Sequence, residues 1–230
     1  MMENYAIRNT QYGRTAVVFD MDGLMVDSEP LSRRAWDEVL RPYGVTISDD
    51  LQSRIIGWRA DVSTPVILAE FGLEHLDAVE VIAQRRAIYE KIRAGGIPEM
   101  PGLRELLALI AERGLPWAVA TSSPRQHAWE VLAHLGLQDE VSAVACGDEV
   151  AHGKPAPDIY LLAAERLGVP PEQCIAMDDS GPGTEAAVAA GMLTIAIPNG
   201  HTTAADFSHA DYVYDSLYDV VENLDALLET

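Results

Sequence analysis

The chain has 230 residues, of which 48% are hydrophobic and 23% are charged, the balance of an ordinary globular protein. Its 36 acidic and 16 basic residues give a formal net charge of −20. Because a surface this acidic repels phosphate backbones and anionic lipid, we expect neither nucleic acid nor a membrane as a partner. No apolar run reaches the roughly 18 residues that a membrane span requires.

The cysteines and the first residues indicate the cellular setting. Cys146 and Cys174 adjoin apolar runs, so we predict two buried free thiols and no zinc site. Residues 1–15 are polar and lack the apolar stretch of a signal peptide. We therefore expect a cytoplasmic protein, and with no marked dimer surface we expect a monomer or a weak dimer. No role is assigned to the scattered histidines His127, His134, His152, His201 and His209.

The first predicted element is a strand over residues 15–19, a β-branched run that stops at Asp20. From residue 30 to about residue 94 only helical patterns follow, and residues 76–93 form the longest helix candidate. The segments 27–30 and 94–98 on either side contain the Pro and Gly residues that are typical of linkers. We predict a helical domain of residues 29–96 inserted into a core formed by residues 1–28 and 97–230.

After the insertion, strands and helices alternate. Apolar residues at helical spacing predict helices, and short continuous apolar runs predict buried parallel strands. The predicted helices cover residues 103–110, 159–167, 184–190 and 217–228, and the predicted strands cover residues 116–120, 141–146, 174–177 and 193–197. This alternation predicts the α/β class with a doubly wound, mainly parallel sheet.

Polar residues gather at the predicted strand ends, where open α/β sheets bind their ligands. These are Asp20 and Asp22, Thr121 and Ser122, Lys154 in a Gly-Lys-Pro loop, and Asp178 with Asp179. Taken singly, each group also fits a solvated turn, a helix N-cap or a loop lysine. Taken together, they supply paired carboxylates, which suit a hard cation such as Mg²⁺, with hydroxyl donors and a lysine beside them.

This set of motifs resembles the haloacid dehalogenase-like hydrolase superfamily, in its β-phosphoglucomutase and sugar-phosphate phosphatase branch. Residues 20–29 look like the first motif, Thr121-Ser122 the second, Lys154 the third and Asp178-Asp179 the fourth. Motif order and intervening lengths agree over essentially the whole chain. The fourth motif departs slightly, since in that branch it often begins Glu-Asp. The resemblance implies a Rossmann-like core with a small α-helical cap.

The resemblance also implies a Mg²⁺-dependent phosphatase that acts on a small phosphorylated metabolite, a sugar, sugar-acid or polyol phosphate. Asp20 would attack phosphorus to form an aspartyl-phosphate, and Asp22 would act as acid and then as base. Thr121, Ser122 and Lys154 would hold the phosphoryl group. The implied metal ligands are Asp20, the backbone carbonyl of Asp22, Asp179 and, through water, Asp178.

The insertion should decide the substrate. Trp58 and Arg59 look like a substrate loop, in which Trp58 stacks on a sugar and Arg59 clamps a polar group, although an interface Trp beside a solvated Arg fits equally well.

In β-phosphoglucomutases a histidine follows the first motif. Ser32 occupies that position here, which favours hydrolysis over the alternative of a phosphomutase. A non-catalytic binding protein is a further alternative, and Asp22 disfavours a metal-free dehalogenase.

Overall fold

A single parallel sheet forms the centre of the molecule in a computed structural model, which describes residues 13–202 and 205–230. Residues 1–12, within the stretch expected to carry no signal peptide, lie outside the described residues. The strand order in the sheet is β3-β2-β1-β4-β5-β6, and every neighbouring pair is parallel. The described strands are β1 (Ala16–Phe19), β2 (Trp117–Thr121), β3 (Ala143–Cys146), β4 (Cys174–Asp178), β5 (Leu193–Ala196) and β6 (Tyr212–Val213). The predicted doubly wound α/β class is therefore confirmed.

Helices cover both faces of the sheet and fill the insertion. In the insertion they are α1 (Glu29–Leu40), α2 (Asp49–Ile55), α3 (Ala60–Glu70) and α4 (Ala78–Arg93). The rest are α5 (Leu103–Glu112), α6 (Arg125–Leu135), α7 (Asp158–Leu167), α8 (Gly181–Ala189) and α9 (Leu217–Glu229). Short 3₁₀ turns lie at Arg41–Tyr43, Gly147–Glu149 and Pro171–Gln173.

The core has three layers because the strands are apolar on both faces. In β1, Val17 and Phe19 pack into one apolar cluster, whereas Ala16 and Val18 pack into the other. Side chains of α5, α6 and α9 complete the first cluster, and those of α7 and α8 complete the second. The order reverses between β1 and β4, and such a switch point opens a crevice beyond the carboxyl ends of the strands.

The inserted helices have an apolar cluster of their own, whose buried members all lie within residues 36–81. The two connections to the core run side by side: the Asp27 amide donates to the Pro98 carbonyl at 2.9 Å, and the Met100 amide donates to the Met25 carbonyl at 2.9 Å. Both observations support a separate helical cap, and the boundaries at residues 29 and 96 stay a prediction. We refer to residues 29–96 as the cap.

Several predicted boundaries need correction. Strands β2 and β4 each extend one residue further than predicted, to Thr121 and Asp178, and strand β6 was not predicted because it has only 2 residues. Helix α8 begins at Gly181 rather than at residue 184, because the Ser180 hydroxyl accepts the Gly183 amide at 3.1 Å and caps the helix there.

Two expectations about the chain as a whole can be compared with the described residues. Cys146 and Cys174 are buried and free, as predicted, and burial raises the pKa of each thiol to about 12. Within the described ranges, none of the helices combines the length and the apolar character needed to cross a membrane.

Candidate active site

Three buried aspartates meet at the carboxyl edge of the sheet. Asp20 directly follows β1, Asp178 ends β4, and Asp179 is the next residue. Because β1 and β4 are parallel neighbours, their ends bring the three side chains together, with one oxygen of each within 4.8 Å of the others. Burial raises the pKa values of Asp20 and Asp179 well above the usual range, and the Asp178 carboxylate raises both further.

Lys154 places a positive charge inside this cluster. Its Nζ donates to Asp20 Oδ1 at 2.5 Å and to Asp178 Oδ2 at 2.7 Å. Its side chain is only 1% exposed, yet the two carboxylates overcome the effect of burial and raise the pKa of Lys154. The lysine therefore stays charged and fixes the orientation of the Asp20 carboxylate.

Asp178 holds the lysine and the following turn. Besides the lysine, its Oδ2 accepts from the Tyr160 hydroxyl at 2.6 Å, and its Oδ1 accepts from the Ser180 amide and hydroxyl at 2.9 and 2.8 Å. Asp178 was expected to reach a metal through water. It lies in the cluster, but both of its oxygens already accept hydrogen bonds from the protein.

The two carboxylate oxygens of Asp179 differ in their hydrogen bonding. Its Oδ2 accepts from Asn199 Nδ2 at 2.8 Å, and the same nitrogen lies 3.0 Å from the Gly23 carbonyl. Among the described residues, nothing hydrogen-bonds to its Oδ1, which is fully buried. An unpaired carboxylate oxygen among three carboxylates and one lysine fits a divalent cation. Only glycine suits position 23, since a Cβ there would lie 2.4 Å from Asp179 Oδ2.

Asp22 lies apart from the cluster, at the wall of a cavity. Its Oδ2 accepts from the Ser123 hydroxyl at 2.8 Å and from the Thr121 hydroxyl at 3.3 Å, and its Oδ1 lies 3.5 Å from His127 Nε2. Burial opposes ionisation, but the hydrogen bonds from His127 and Ser123 lower the pKa of Asp22 to about 2. Asp22 is therefore ionised and able to accept a proton.

The cavity separates the core from the cap and has a volume of about 200 Å³. Asp20, Asp22, Thr121 and His127 line its core side. The cap contributes aromatic walls from Trp36, Trp58 and Tyr89. Its polar and charged lining groups include Glu29, Gln52, Arg85, Arg33, Arg86 and Glu90. A nucleophilic carboxylate, an acid–base carboxylate and a recognition surface thus face one space.

The sequence comparisons agree with this geometry. The family model of the haloacid dehalogenase-like hydrolases matches residues 15–191. The chain belongs to this family. A phosphorylated carbohydrates phosphatase of Thermotoga maritima is 39% identical over 182 residues, which cover 78% of this chain and 83% of the relative.

Two further proteins show the same relationship. Hexitol phosphatase B of Escherichia coli strain K12 is 38% identical over 80% of this chain and 83% of its own length. The crystal structure of CbbY from Rhodobacter sphaeroides, in complex with phosphate, superposes with a TM-score of 0.79 at 29% identity, over 90% of this chain and 96% of that chain.

Within this haloacid dehalogenase-like fold, the second motif does not cap a helix. Pro124, not a hydroxyl residue, occupies the N-cap position of α6. The Thr121 hydroxyl instead accepts the Ser123 amide at 3.0 Å and contacts Asp22, while the Ser122 hydroxyl donates to the Gly57 carbonyl of the cap at 2.7 Å. Thr121 and Ser122 both line the cavity, and their roles toward substrate stay predictions.

The cap residues Trp58 and Arg59 differ in their position relative to the cavity. Trp58 lines the cavity, so its predicted stacking on a sugar stays open. Arg59 does not line it. Its Nη1 donates to the Gly147 and Val150 carbonyls of the core at 3.2 and 3.0 Å, and its Nε donates to Asp61 at 3.0 Å. Arg59 therefore bridges cap and core, whereas we expected it to clamp the substrate.

Sequence reasoning missed several residues of the site. His127 was assigned no role, yet it contacts Asp22 and packs edge-on against Tyr89 of the cap, with ring centroids 5.4 Å apart. Its place in the first turn of α6, just after the second motif, could have indicated this. Glu29, Gln52 and Arg85 come from three different cap helices, so no sequence spacing connects them.

The isosteric variant Glu29→Gln should stabilise the protein at high pH. Burial raises the pKa of Glu29 from its ordinary 4.5 to about 7, with Asp22 adding to the increase. The folded protein thus keeps a proton that the unfolded chain loses, and stability falls as pH rises between these values. We expect the variant to gain about 3 kcal/mol at pH 8 but under about 1 kcal/mol at pH 5.

Denaturant unfolding at both pH values measures this difference. Glu74→Gln, which changes an exposed glutamate of the same cap, serves as the control. An equal gain for Glu29→Gln at pH 5 and pH 8 would show that burial does not shift this carboxyl.

Proposed function

We propose that the protein is a phosphatase that hydrolyses a small phosphate monoester, the phosphate of a sugar, sugar acid or polyol, with Mg²⁺ as its metal. The observation that carries this proposal is Asp20, fixed by Lys154 inside the carboxylate cluster and open to the cavity that Asp22 also lines. The names of the two curated relatives, a carbohydrate-phosphate phosphatase and a hexitol phosphatase, support the same reaction.

The first half of the reaction uses Asp20 as a nucleophile. Its carboxylate attacks phosphorus, the bond from phosphorus to the ester oxygen breaks, and an aspartyl-phosphate forms. Lys154 keeps one oxygen of Asp20 in place and offers its remaining proton to a phosphoryl oxygen. Asp20, Asp179 and the Asp22 carbonyl would hold the metal, with Asp178 behind them, and the bound cation would offset the negative charges of carboxylate and phosphate.

Both halves depend on Asp22, which donates a proton in the first half and accepts one in the second. Proton transfer to the departing alkoxide needs the protonated acid, and the negative charge of a bound phosphate favours that form by raising the pKa of Asp22. Once ionised again, Asp22 takes a proton from the water that attacks the aspartyl-phosphate. The bond from phosphorus to the Asp20 oxygen then breaks, which releases phosphate and restores the Asp20 carboxylate. The hydroxyl of Ser123 and the ring of His127 hold the carboxylate at the cavity wall during both transfers.

Ser32 bears on the phosphomutase alternative. Its hydroxyl accepts from Arg85 of the cap at 2.7 Å, and it provides no imidazole to couple closure of the cap to Asp22. We therefore retain hydrolysis as the proposed outcome. The expected cytoplasmic location and the monomeric or weakly dimeric state stay predictions.

We expect phosphate release from sugar and polyol phosphates in the presence of Mg²⁺, and none in EDTA. A phosphate assay over a panel of sugar, sugar-acid and polyol phosphates checks this. The panel includes β-glucose 1-phosphate, with glucose 6-phosphate followed in parallel. Glucose 6-phosphate formed without free phosphate would identify a mutase instead.

The variant Asp20→Asn should lose activity by a factor of about 10³ or more, because the amide cannot serve as the nucleophile. Its shape is unchanged, so the melting temperature should stay near that of the wild type. Asp139→Asn alters an exposed aspartate outside the site and is the matched control. Substantial turnover by Asp20→Asn would rule out this nucleophile.

The variant Asn199→Ala should weaken Mg²⁺ binding roughly 10- to 100-fold, since partners of metal ligands orient those ligands. Asn199 holds one oxygen of Asp179 and leaves the other open toward the cluster. Titration calorimetry with Mg²⁺ alone measures the effect without turnover. The control Asn223→Ala changes an exposed amide on α9, and equal Kd values for all three proteins would refute the role of Asn199.

A further inference from the structure

Gln52 on the cap side of the cavity has one end fixed and one end free. Its Nε2 donates to Glu29 Oε2 at 3.1 Å, which sets the orientation of the amide. Gln52 is only 6% exposed, and in the part of the chain that the structure describes its Oε1 is buried without a hydrogen-bond partner. Since Gln52 lines the cavity, a molecule bound there can supply the missing donor.

Arg85 is also held in place by its neighbours, and its unpaired atom is a hydrogen-bond donor instead of an acceptor. One of its terminal nitrogens donates to the Ser32 hydroxyl at 2.7 Å, and its guanidinium lies 4.9 Å from the ring centre of Trp36 and 5.9 Å from that of Tyr89. These contacts fix the plane of the group. Its Nε is buried and, over the same described residues, makes no hydrogen bond. Arg85 also lines the cavity, so its unpaired donor belongs to a residue that a bound molecule contacts.

A hydroxyl group is the chemistry that satisfies both unpaired atoms. It donates to the Gln52 oxygen and accepts from the Arg85 nitrogen, either as one group or as two groups of a polyol. A carboxylate or a second phosphate can only accept, so it leaves Gln52 Oε1 buried and unpaired. The aromatic rings of Trp36, Trp58 and Tyr89 supply apolar walls that suit the C–H groups of such an alcohol.

We propose that Gln52 and Arg85 recognise hydroxyl groups of the alcohol that leaves phosphorus, so that the enzyme prefers a neutral polyhydroxylated monoester, such as a hexitol phosphate, over a sugar-acid phosphate. This inference rests on the proposed phosphatase function and selects one substrate class within it. It assigns recognition of the leaving group to cap residues that do not touch the reacting phosphorus.

The test compares three substrates in the presence of Mg²⁺: a hexitol phosphate, the corresponding sugar-acid phosphate, and p-nitrophenyl phosphate, whose leaving group carries no further hydroxyl. For the wild-type enzyme, we expect kcat/KM for the hexitol phosphate to exceed that for the sugar-acid phosphate by about tenfold or more. This comparison requires no variant, so it stands even where a substitution prevents folding.

The variant Gln52→Met keeps side-chain length, Arg85→Met keeps only an unbranched apolar stem, and both remove the polar atoms. Each should lower kcat/KM for the hexitol phosphate by about tenfold while that for p-nitrophenyl phosphate changes by less than about twofold. The controls are Gln84→Met and Arg34→Met, which alter exposed residues of α4 and α1 and should change neither value.

Three outcomes would overturn the inference. Equal losses on the hexitol phosphate and on p-nitrophenyl phosphate would make the two residues structural. A wild-type enzyme that uses the sugar-acid phosphate as well as the hexitol phosphate would contradict the inferred preference for a neutral leaving group while leaving the phosphatase intact. A wild-type enzyme that hydrolyses none of the three would refute the proposed function together with the inference.

Discussion

The buried contact of Lys154 with Asp20 and Asp178 is the interaction on which the site depends. Three carboxylates lie within 4.8 Å of one another, where their mutual repulsion and loss of water are costly. One ammonium group cannot neutralise three such charges. When all three are ionised, the cluster carries an excess of negative charge at the ends of β1 and β4, which a divalent cation would offset.

The sheet makes this arrangement possible because it fixes where the charges meet. Asp20 and Asp178 project from parallel neighbours, so their separation is set by strand spacing and not by a mobile loop. Close backbone approaches complete the frame. Gly23 lies against Asp179, and Gly57 of the cap lies so near Ser180 that a Cβ would come within 2.5 Å of its hydroxyl. The cap thus rests on the same turn that Asp178 holds in place.

Much of the core site could be predicted from sequence because its residues follow directly from strand ends. Asp20, Thr121 and Asp178 each sit where an apolar run stops, and parallel strands bring such ends together. The cap was less predictable. Gln52 and Arg85 reach the same cavity only through packing of the cap helices, and the apolar periodicity of each helix does not predict that packing. Arg59 shows the same limit, since its carbonyl partners lie about 90 residues further along the chain.

A chain with a net charge of −20 must bind a phosphate that is itself an anion, and the distribution of its few cations resolves this conflict. Lys154 is one of only two lysines, and it lies inside the carboxylate cluster. Arg33, Arg85 and Arg86 line the cavity, together with the acidic residues Asp20, Asp22, Glu29 and Glu90. Attraction of the substrate therefore has to be local, because the long-range field opposes it. A neutral leaving group adds no further repulsion, so its binding depends on the hydrogen-bonding groups that the cap presents.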